Sequence, residues 1–375
     1  MLSTTRMRLS ATVSVLALGV LTGCGGGATV EDPGAGGASA SLRAGYLSAI
    51  DQVGLPLALE NGYFEDRGLN VDVADPFPTG VDALNALQAG EVDLVQVGTP
   101  LVPAAQKGDE LVLVGNYTGS ASQASIDDTM AVVATPKAGI SADDLDSLRG
   151  KRIGVSVGSI NHLYLLGLLE KAGLKTSQVT IVNTAPPDLG VALETGGIDA
   201  AIVWDPWPIT ITDQVDGAEE VMRGGGYIPF VGYQVTTREF LDEHPDEVAD
   251  YLAARAEVDQ WIRENPDQAG EAATRWLPGT ESKVAQEAMQ HNIKQLDPRF
   301  SACNYLALDT VADLMAQGDA AGPDFDPAPY FDPAPILKVM EESPDLFEGL
   351  PEIPAQAQVE GGFTYDQAAA DKACQ

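Results

Sequence analysis

Two stretches of the chain, ALQAGEVDLVQVGTP at residues 86–100 and ALETGGIDAAIVWDP at residues 192–206, repeat one pattern. Six of the fifteen positions are identical, at a constant offset of 106 residues (192 minus 86). Each copy is typical of a helix end, a glycine that stops the helix, a buried strand and a helix with proline near its start. Chance also produces helix–glycine–strand units, but two copies at this offset indicate two similar α/β lobes. Ligands of open α/β sheets bind where strands end and helices begin.

The segments on either side of these copies continue the alternation of strands and helices. The sequence predicts strands at 41–47, 69–76, 92–97, 111–117, 130–135, 152–157 and 179–183. It predicts helices at 54–62, 80–89, 99–107, 141–148 and 160–172, helical regions over 238–277 and 281–293, and a helix at 335–342. Such alternation predicts an α/β fold with parallel or mixed sheets that are covered on both faces.

Length and charge limit the size of the fold and the kind of partner. The 375 residues are too many for one ordinary core and suit two domains. With 21 Lys and Arg against 55 Asp and Glu, the formal net charge is −34. Nucleic acid and anionic membrane surfaces are therefore excluded as large-area partners, because both need basic side chains to neutralise phosphate. The sequence contains no Walker loop, zinc spacing or dinucleotide fingerprint, so we expect neither a cofactor nor a metal.

The N-terminal residues have the pattern of an export signal. Arg6 and Arg8 precede an apolar run at 9–21 that is too short to span a bilayer comfortably. The following Leu21-Thr22-Gly23-Cys24 resembles a bacterial lipobox; the alternative is an ordinary secretory signal with an incidental cysteine. We expect residues 1–23 to be a lipoprotein signal peptide, Cys24 to carry the lipid, and the small residues of 24–41 to form a flexible tether.

Two further cysteines, Cys303 and Cys374, remain once Cys24 is lipidated. A location outside the membrane permits disulfides, so a bridge between them is one reading. The other is a pair of free thiols. Neither cysteine has the spacing of a metal site.

Four motifs, in order along the chain, resemble one family of transport proteins. They are GYFEDRGL at 62–69, the stretch 86–100, LRGKRIGV at 148–155 followed by Gly158-Ser159, and the stretch 196–206. Together they resemble type II substrate-binding proteins of ABC transporters, in the branch that handles alkanesulfonates, taurine, nitrate and thiamine-pyrimidine precursors. The chain is identified as a member of this family on the order of the motifs, since each alone is weak.

The resemblance implies the architecture and the partners. The implied fold is the two-lobed type II periplasmic-binding-protein fold, with a ligand cleft between the lobes. One lobe would comprise 42–130 and 232–375, the other 131–231, with crossovers near 128–132 and 229–236. The implied protein is a monomeric receptor on the extracytoplasmic face of the cell membrane, attached by its lipid alone. It would deliver a small anionic or zwitterionic solute to ABC permease subunits.

Three turns are candidates for holding an oxyanion, because backbone N–H groups at a helix N-terminus bind anions without arginine. They are Thr79-Gly80, Gly98-Thr99 and Gly158-Ser159, and the resemblance places all three at the cleft. The alternative is that these hydroxyls only cap helices. Asp51-Gln52 follows the first strand, at a position that meets ligand in this family; the alternative is a solvated turn.

Trp204-Asp205 is the sharpest candidate in the second lobe. The tryptophan would be an aromatic wall and Asp205 the partner of an ammonium group; the alternative is a helix cap beside a core tryptophan. Tyr117 is a further wall candidate. Weaker candidates are Asn116, Tyr233 and His162.

Two other functions compete with a receptor. Gly154-Val155-Ser156-Val157-Gly158 matches the G-x-S-x-G motif of serine hydrolases, with His244 or His291 to complete a triad. However, Ser156 occupies an alternating strand position, and the turn follows two residues later. A scaffold or sensor lipoprotein would bind a protein on its acidic surface and no solute. The internal repeat and the ordered motifs favour a receptor that is not an enzyme.

Overall fold

Two five-stranded sheets form the framework of the part that the structure, a computed structural model, describes: residues 40–124, 126–318, 321–360 and 362–374. The predicted signal peptide, Cys24 and the tether as far as residue 39 lie outside the described residues. Residues 40 and 41, predicted as the end of the tether, belong to the first strand.

The described residues form ten strands in the two sheets, and each sheet combines parallel and antiparallel pairs. They are β1 (Ala40–Gly45), β2 (Leu69–Val73), β3 (Leu94–Val97), β4 (Val112–Thr118), β5 (Met130–Ala134), β6 (Arg152–Val155), β7 (Thr180–Asn183), β8 (Ala200–Trp204), β9 (Glu219–Arg223) and β10 (Gly232–Thr236). The first sheet has the order β2-β1-β3-β10-β4 and the second β7-β6-β8-β5-β9. The fourth strand in each order, β10 or β5, is antiparallel to both of its neighbours. Both are therefore mixed sheets, as predicted.

The chain crosses between the sheets twice. It leaves the first sheet after β4, enters the second at β5, and returns from β9 to β10. The connections are 119–129 and 224–231. The expected crossovers, near 128–132 and 229–236, overlap these connections but extend into β5 and β10.

Helices cover the sheets and form most of the C-terminal third. They are α1 (Gly54–Glu60), α2 (Gly80–Gln88), α3 (Leu101–Gln106), α4 (Ile160–Ala172), α5 (Leu189–Glu194), α6 (Trp207–Gln214), α7 (Arg238–Glu243), α8 (Pro245–Glu264), α9 (Pro266–Ala273), α10 (Ser282–Asn292), α11 (Ala302–Gln317), α12 (Ala334–Glu342) and α13 (Gln367–Ala373). Pro245 and Pro266 divide the predicted helical region at α8 and α9, because proline cannot donate the helical hydrogen bond. None of the described helices is both long and apolar enough to cross a bilayer.

The internal repeat has a direct structural counterpart. Asp93 binds Arg43 of β1, and Asp199 binds Arg152 of β6 through the same set of atoms. In each copy the arginine Nη1 also donates to the carbonyl of the helix-stopping glycine, Gly90 at 2.7 Å or Gly196 at 2.6 Å. The repeated Gly and Asp therefore join the helix end to the neighbouring strand, and their role is structural.

Two helical predictions need correction. The helix predicted at 141–148 is only a 3₁₀ turn at Leu145–Leu148. Ser141 and Asp144 accept hydrogen bonds from nearby backbone N–H groups, and such local bonds compete with a helix. The sequence analysis also missed α11, although Ser301 caps it and accepts from the Cys303 N–H.

The C-terminal segment is fastened to α11 by a disulfide. Cys303 and Cys374 are bonded, with their Cα atoms 5.4 Å apart. The carbonyl of Cys374 also accepts from the N–H of Ala124, in the first connection between the sheets, at 3.1 Å. The structure therefore contains the predicted disulfide and not the alternative pair of free thiols.

Candidate ligand-binding site

A small cavity lies between the two sheets, at the ends of their strands. The volume open to the centre of a water-sized sphere is about 30 Å³. Its lining comprises Leu47, Ala49, Asp51, Gln52, Gly80, Val97, Gly98, Thr99, Pro100, Tyr117, Ser159, Ile160, Trp204, Phe230 and Val231. No Lys, Arg or His is among these residues, so the cavity wall has no cationic side chain.

Gln52 organises the wall on the side of the first sheet. Its side-chain carbonyl accepts from the Leu47 N–H at 2.6 Å, and its Nε2 donates to the Tyr117 hydroxyl at 3.0 Å. Its backbone carbonyl accepts from Gln96 Nε2 at 2.9 Å. Because Gln52 donates to the Tyr117 oxygen, the hydroxyl hydrogen of Tyr117 remains available to another acceptor.

Asp51 is the one acidic side chain of the wall, and its exposed fraction is only 4%. Its Oδ1 is buried and has no hydrogen-bond partner among the described residues. Burial raises the pKa of this carboxyl to about 7, and the negative charge of Asp205 adds to the increase. Burial and the charge of Asp51 likewise raise the pKa of Tyr117 well above its ordinary value. Asp51 is therefore a desolvated carboxyl that lacks a counter-ion.

Close packing explains the glycine at position 98, which lines the cavity beside Thr99. A Cβ on Gly98 would lie 2.4 Å from the carbonyl oxygen of Val231, too near for any side chain. Thr99 is fully buried, and its hydroxyl donates across to the carbonyl of Gly158 at 3.4 Å. This hydrogen bond joins the ends of the two sheets at the cavity.

Ser159 and Trp204 supply the wall on the side of the second sheet. Ser159 is the N-cap of α4, but its side chain makes no capping hydrogen bond. The indole Nε1 of Trp204 is buried without a partner among the described residues. Both groups can donate a hydrogen bond, and the N-terminus of α4 adds a partial positive charge. This side of the cavity therefore suits an anionic group.

Asp205 has a different place from the one predicted. It does not line the cavity, and its fully buried carboxylate receives Arg223 through Nη1 at 2.7 Å and Nη2 at 3.1 Å. His291 Nδ1 lies 2.8 Å from the same carboxylate. The expectation that Asp205 receives an ammonium group does not fit this arrangement, because its oxygens already have charged partners.

Most of the other candidates lie together at the cavity. Asp51, Gln52, Gly80, Gly98, Thr99, Tyr117, Ser159 and Trp204 all line it. Two predicted residues do not: the Thr79 hydroxyl bonds Asp82 at the start of α2, and the Gly158 N–H donates to His162 Nδ1. The weaker candidates Asn116, Tyr233 and His162 are likewise absent from the wall. Phe230 and Val231 were missed, since no polar or glycine signal marks them.

The hydrolase motif lacks a working arrangement. The Ser156 hydroxyl donates to the backbone carbonyl of Thr184 at 3.2 Å. His291 does pair with an acid, Asp205, but that carboxylate is also bound by Arg223.

No group of three or more potential metal ligands occurs among the described residues.

Several known proteins are similar to this chain in sequence. The family described as NMT1/THI5 like matches residues 50–269. A putative aliphatic sulfonates-binding protein of Bacillus subtilis is 27% identical over 350 residues, which cover 90% of this chain and 98% of the relative. The taurine-binding periplasmic protein of Escherichia coli is 30% identical over 216 residues, 56% of this chain and 62% of that protein.

A solved structure shares the fold. The alkanesulfonate-binding protein of Xanthomonas axonopodis pv. citri, bound to MOPS, superposes with a TM-score of 0.69 at 24% identity. The match covers 78% of this chain and 98% of that protein. The predicted α/β fold of the periplasmic-binding class is thereby confirmed.

Proposed function

Because this chain belongs to the NMT1/THI5-like family, we propose that it is the solute-binding component of an ABC importer. We further propose that its solute is a small zwitterion with one ammonium and one sulfonate or similar oxyanion, of which taurine is an example. The names of the B. subtilis and E. coli relatives support sulfonates as the class.

The observation that carries the zwitterion is Asp51. A buried carboxylate with an oxygen that lacks a hydrogen-bond partner among the described residues is costly, and an ammonium group of the solute would supply the missing counter-ion. A simple anion such as nitrate would instead meet a negative charge in a wall that has no cationic side chain. The small size of the cavity, about 30 Å³ by the measure above, supports a solute of few heavy atoms.

The opposite side of the cavity would hold the sulfonate. Ser159 and the first N–H groups of α4 provide donors that require no arginine. The indole N–H of Trp204 adds a buried donor without a partner. These donors and Asp51 belong to opposite walls, so one zwitterion can satisfy both.

We assign the two sheets to two lobes, 42–130 with 232–375 and 131–231, which close on the solute. The hydrogen bond from Thr99 to Gly158 supports such closure, because it joins the two sheets across the cavity. Receptor and solute would then meet the permease as one closed unit.

We also propose that the mature protein is a monomer, held on the extracytoplasmic face of the cell membrane through a lipid on Cys24. The lipobox-like residues before Cys24 support this location. In this role the protein releases its solute chemically unchanged and is not an enzyme. The partners of Ser156 support that part of the proposal, because its hydroxyl is bonded to a carbonyl and not to a base.

Calorimetry on the purified full-length chain tests the solute class. Taurine should bind at least about 10-fold more tightly than ethanesulfonate, which lacks the amine, because a charge-assisted hydrogen bond contributes about 1.5–3 kcal/mol. Nitrate should bind weakly. Equal affinity for taurine and ethanesulfonate would remove the ammonium role. Absence of binding by all three would favour a scaffold that binds no solute. Mass spectrometry of the recovered taurine checks that no reaction occurs.

A further inference from the structure

A second charged cluster lies beside the cavity, around the carboxylate of Asp205. Asp205 follows β8, and its carboxylate is fully buried. Arg223, at the end of β9 in the same sheet, binds both of its oxygens. Glu220 in turn pairs with Arg223 Nη2 at 2.6 Å. Arg223 thus neutralises Asp205 from within the second sheet.

The remaining partner of Asp205 comes from another part of the fold. His291 lies on α10, which packs against α9 and against the turn Ile50–Gln52 that carries Asp51. Its Nδ1 is 2.8 Å from Asp205 Oδ2. The N–H of Ile50 also donates to the backbone carbonyl of Asp205, at 3.3 Å. Ile50, next to Asp51, is therefore bonded to Asp205 directly, and His291 makes a second polar contact to Asp205 from the helix that packs against the same turn.

We propose that His291 is a positioning residue for the solute: its contact with Asp205, the cross-cleft pair, forms when the lobes close and holds Asp51 against the bound solute. This inference rests on the proposed function, since it assumes that solute binding and closure are coupled. His291 is not among the residues that line the cavity, so in this proposal it acts through Asp205 and the Ile50–Gln52 turn.

Arg223 and His291, the two side-chain partners of Asp205 described above, have different roles in this proposal. Arg223 and Asp205 belong to one sheet, so their ion pair persists whether the cleft is open or closed. The His291 contact joins different parts of the fold and is broken by opening. Loss of His291 should thus leave the second sheet intact and chiefly speed release of the solute.

Stopped-flow tryptophan fluorescence on the full-length chain measures this, with taurine as the probe. His291→Gln should raise the dissociation rate constant about 10-fold and leave the association rate constant within about 2-fold, because one polar contact of the closed state is weakened. His291→Lys, which can also donate a hydrogen bond to Asp205, should recover part of the loss. The control is His244→Gln, since His244 is 41% exposed and its nearest acid, Glu247, is 3.7 Å away.

Two results would overturn the cross-cleft pair: an unchanged dissociation rate in His291→Gln, or an equal change in His244→Gln. If the unaltered protein binds no taurine, the proposed function fails first, and hydrogen exchange then tests the pair in the closed arrangement that the free protein samples, where the Ile50 N–H is bonded to the Asp205 carbonyl. The Ile50 amide should then exchange faster in His291→Gln than in either the control or the unaltered chain, and equal exchange would reject the pair.

Discussion

Asp51 and Asp205 are two buried aspartates in the neighbourhood of the cavity, and they differ in how their carboxylates are paired. Both are less than 5% exposed, and their charges repel each other. Asp205 has Arg223 and His291 as partners, whereas one oxygen of Asp51 has none among the described residues. A carboxylate that is already paired has little to offer a solute. This contrast is why we propose Asp51, whose Oδ1 has no partner among the described residues, as the binding group.

The same comparison explains why an unpaired carboxyl is retained. Burial without a partner destabilises the charged form of Asp51, as its raised pKa reflects. Ionisable groups with strongly shifted pKa values are concentrated at functional sites, where a ligand can supply the missing partner. In our proposal the paired aspartate stabilises the fold and Asp51 contributes to affinity.

The largest effect should come from depriving Asp205 of its partner. Arg223→Gln should lower the free energy of unfolding by about 3 kcal/mol, because it leaves a buried charge uncompensated. Urea denaturation measures this. The matched control is Arg152→Gln, whose pair with Asp199 is partly exposed and should contribute much less, because solvent screens it. Adding Asp205→Asn to Arg223→Gln should restore much of the loss. Equal effects of the two arginine substitutions would break the distinction between Asp205 and an ordinary surface pair.

The second effect is a pH dependence of affinity that only Asp51 should produce. Its pKa is raised to about 7, and an ammonium group prefers the ionised form. The affinity for taurine should therefore rise about 10-fold from pH 6 to pH 8, as the carboxyl loses its proton. Ethanesulfonate should show no such rise. Calorimetry across this range checks both, and a flat profile for taurine would contradict the assignment.

A smaller effect concerns the stability of the free protein. The folded pKa of Asp51 lies above the value of 3.8 for an ordinary aspartate, so its stabilising contribution is complete below about pH 4 and is lost as the pH rises through about 7. Asp51→Asn removes this loss. Relative to the unaltered chain, the variant should gain stability by roughly 1 kcal/mol or more at pH 8 compared with pH 5. Thermal unfolding at the two pH values measures the difference, and a variant that is equally affected at both would argue against a buried, unpaired carboxyl.

The sequence predicted eight of the ten described strands, β1 to β8, and missed β9 and β10. Glycine stops, apolar strands and helix starts are local signals, and they marked Gly98, Thr99, Ser159 and Trp204 as candidates. The family resemblance implied that a cleft lies between two lobes. The partners of Asp205 could not be predicted in this way, since Arg223 and His291 are 18 and 86 residues distant along the chain. The repeated Asp93 and Asp199 carried a strong sequence signal, yet they bind neighbouring arginines and do not line the cavity. The repeat therefore indicated the strand ends that lie at the cavity, but it did not contain Asp51, the acidic residue of the cavity wall.

The affinity of Asp51→Asn for taurine and for ethanesulfonate, measured by calorimetry at pH 8, tests the central claim most directly. Asp246→Asn is the control, because its side chain is 81% exposed. Loss of the buried carboxylate should weaken taurine about 100-fold, in line with the 2–5 kcal/mol of a truncated buried charge pair, and should leave ethanesulfonate unchanged or tighter. Equal weakening of both solutes, or an unchanged affinity for taurine, would contradict the assignment of Asp51 as the carboxylate that receives the ammonium group.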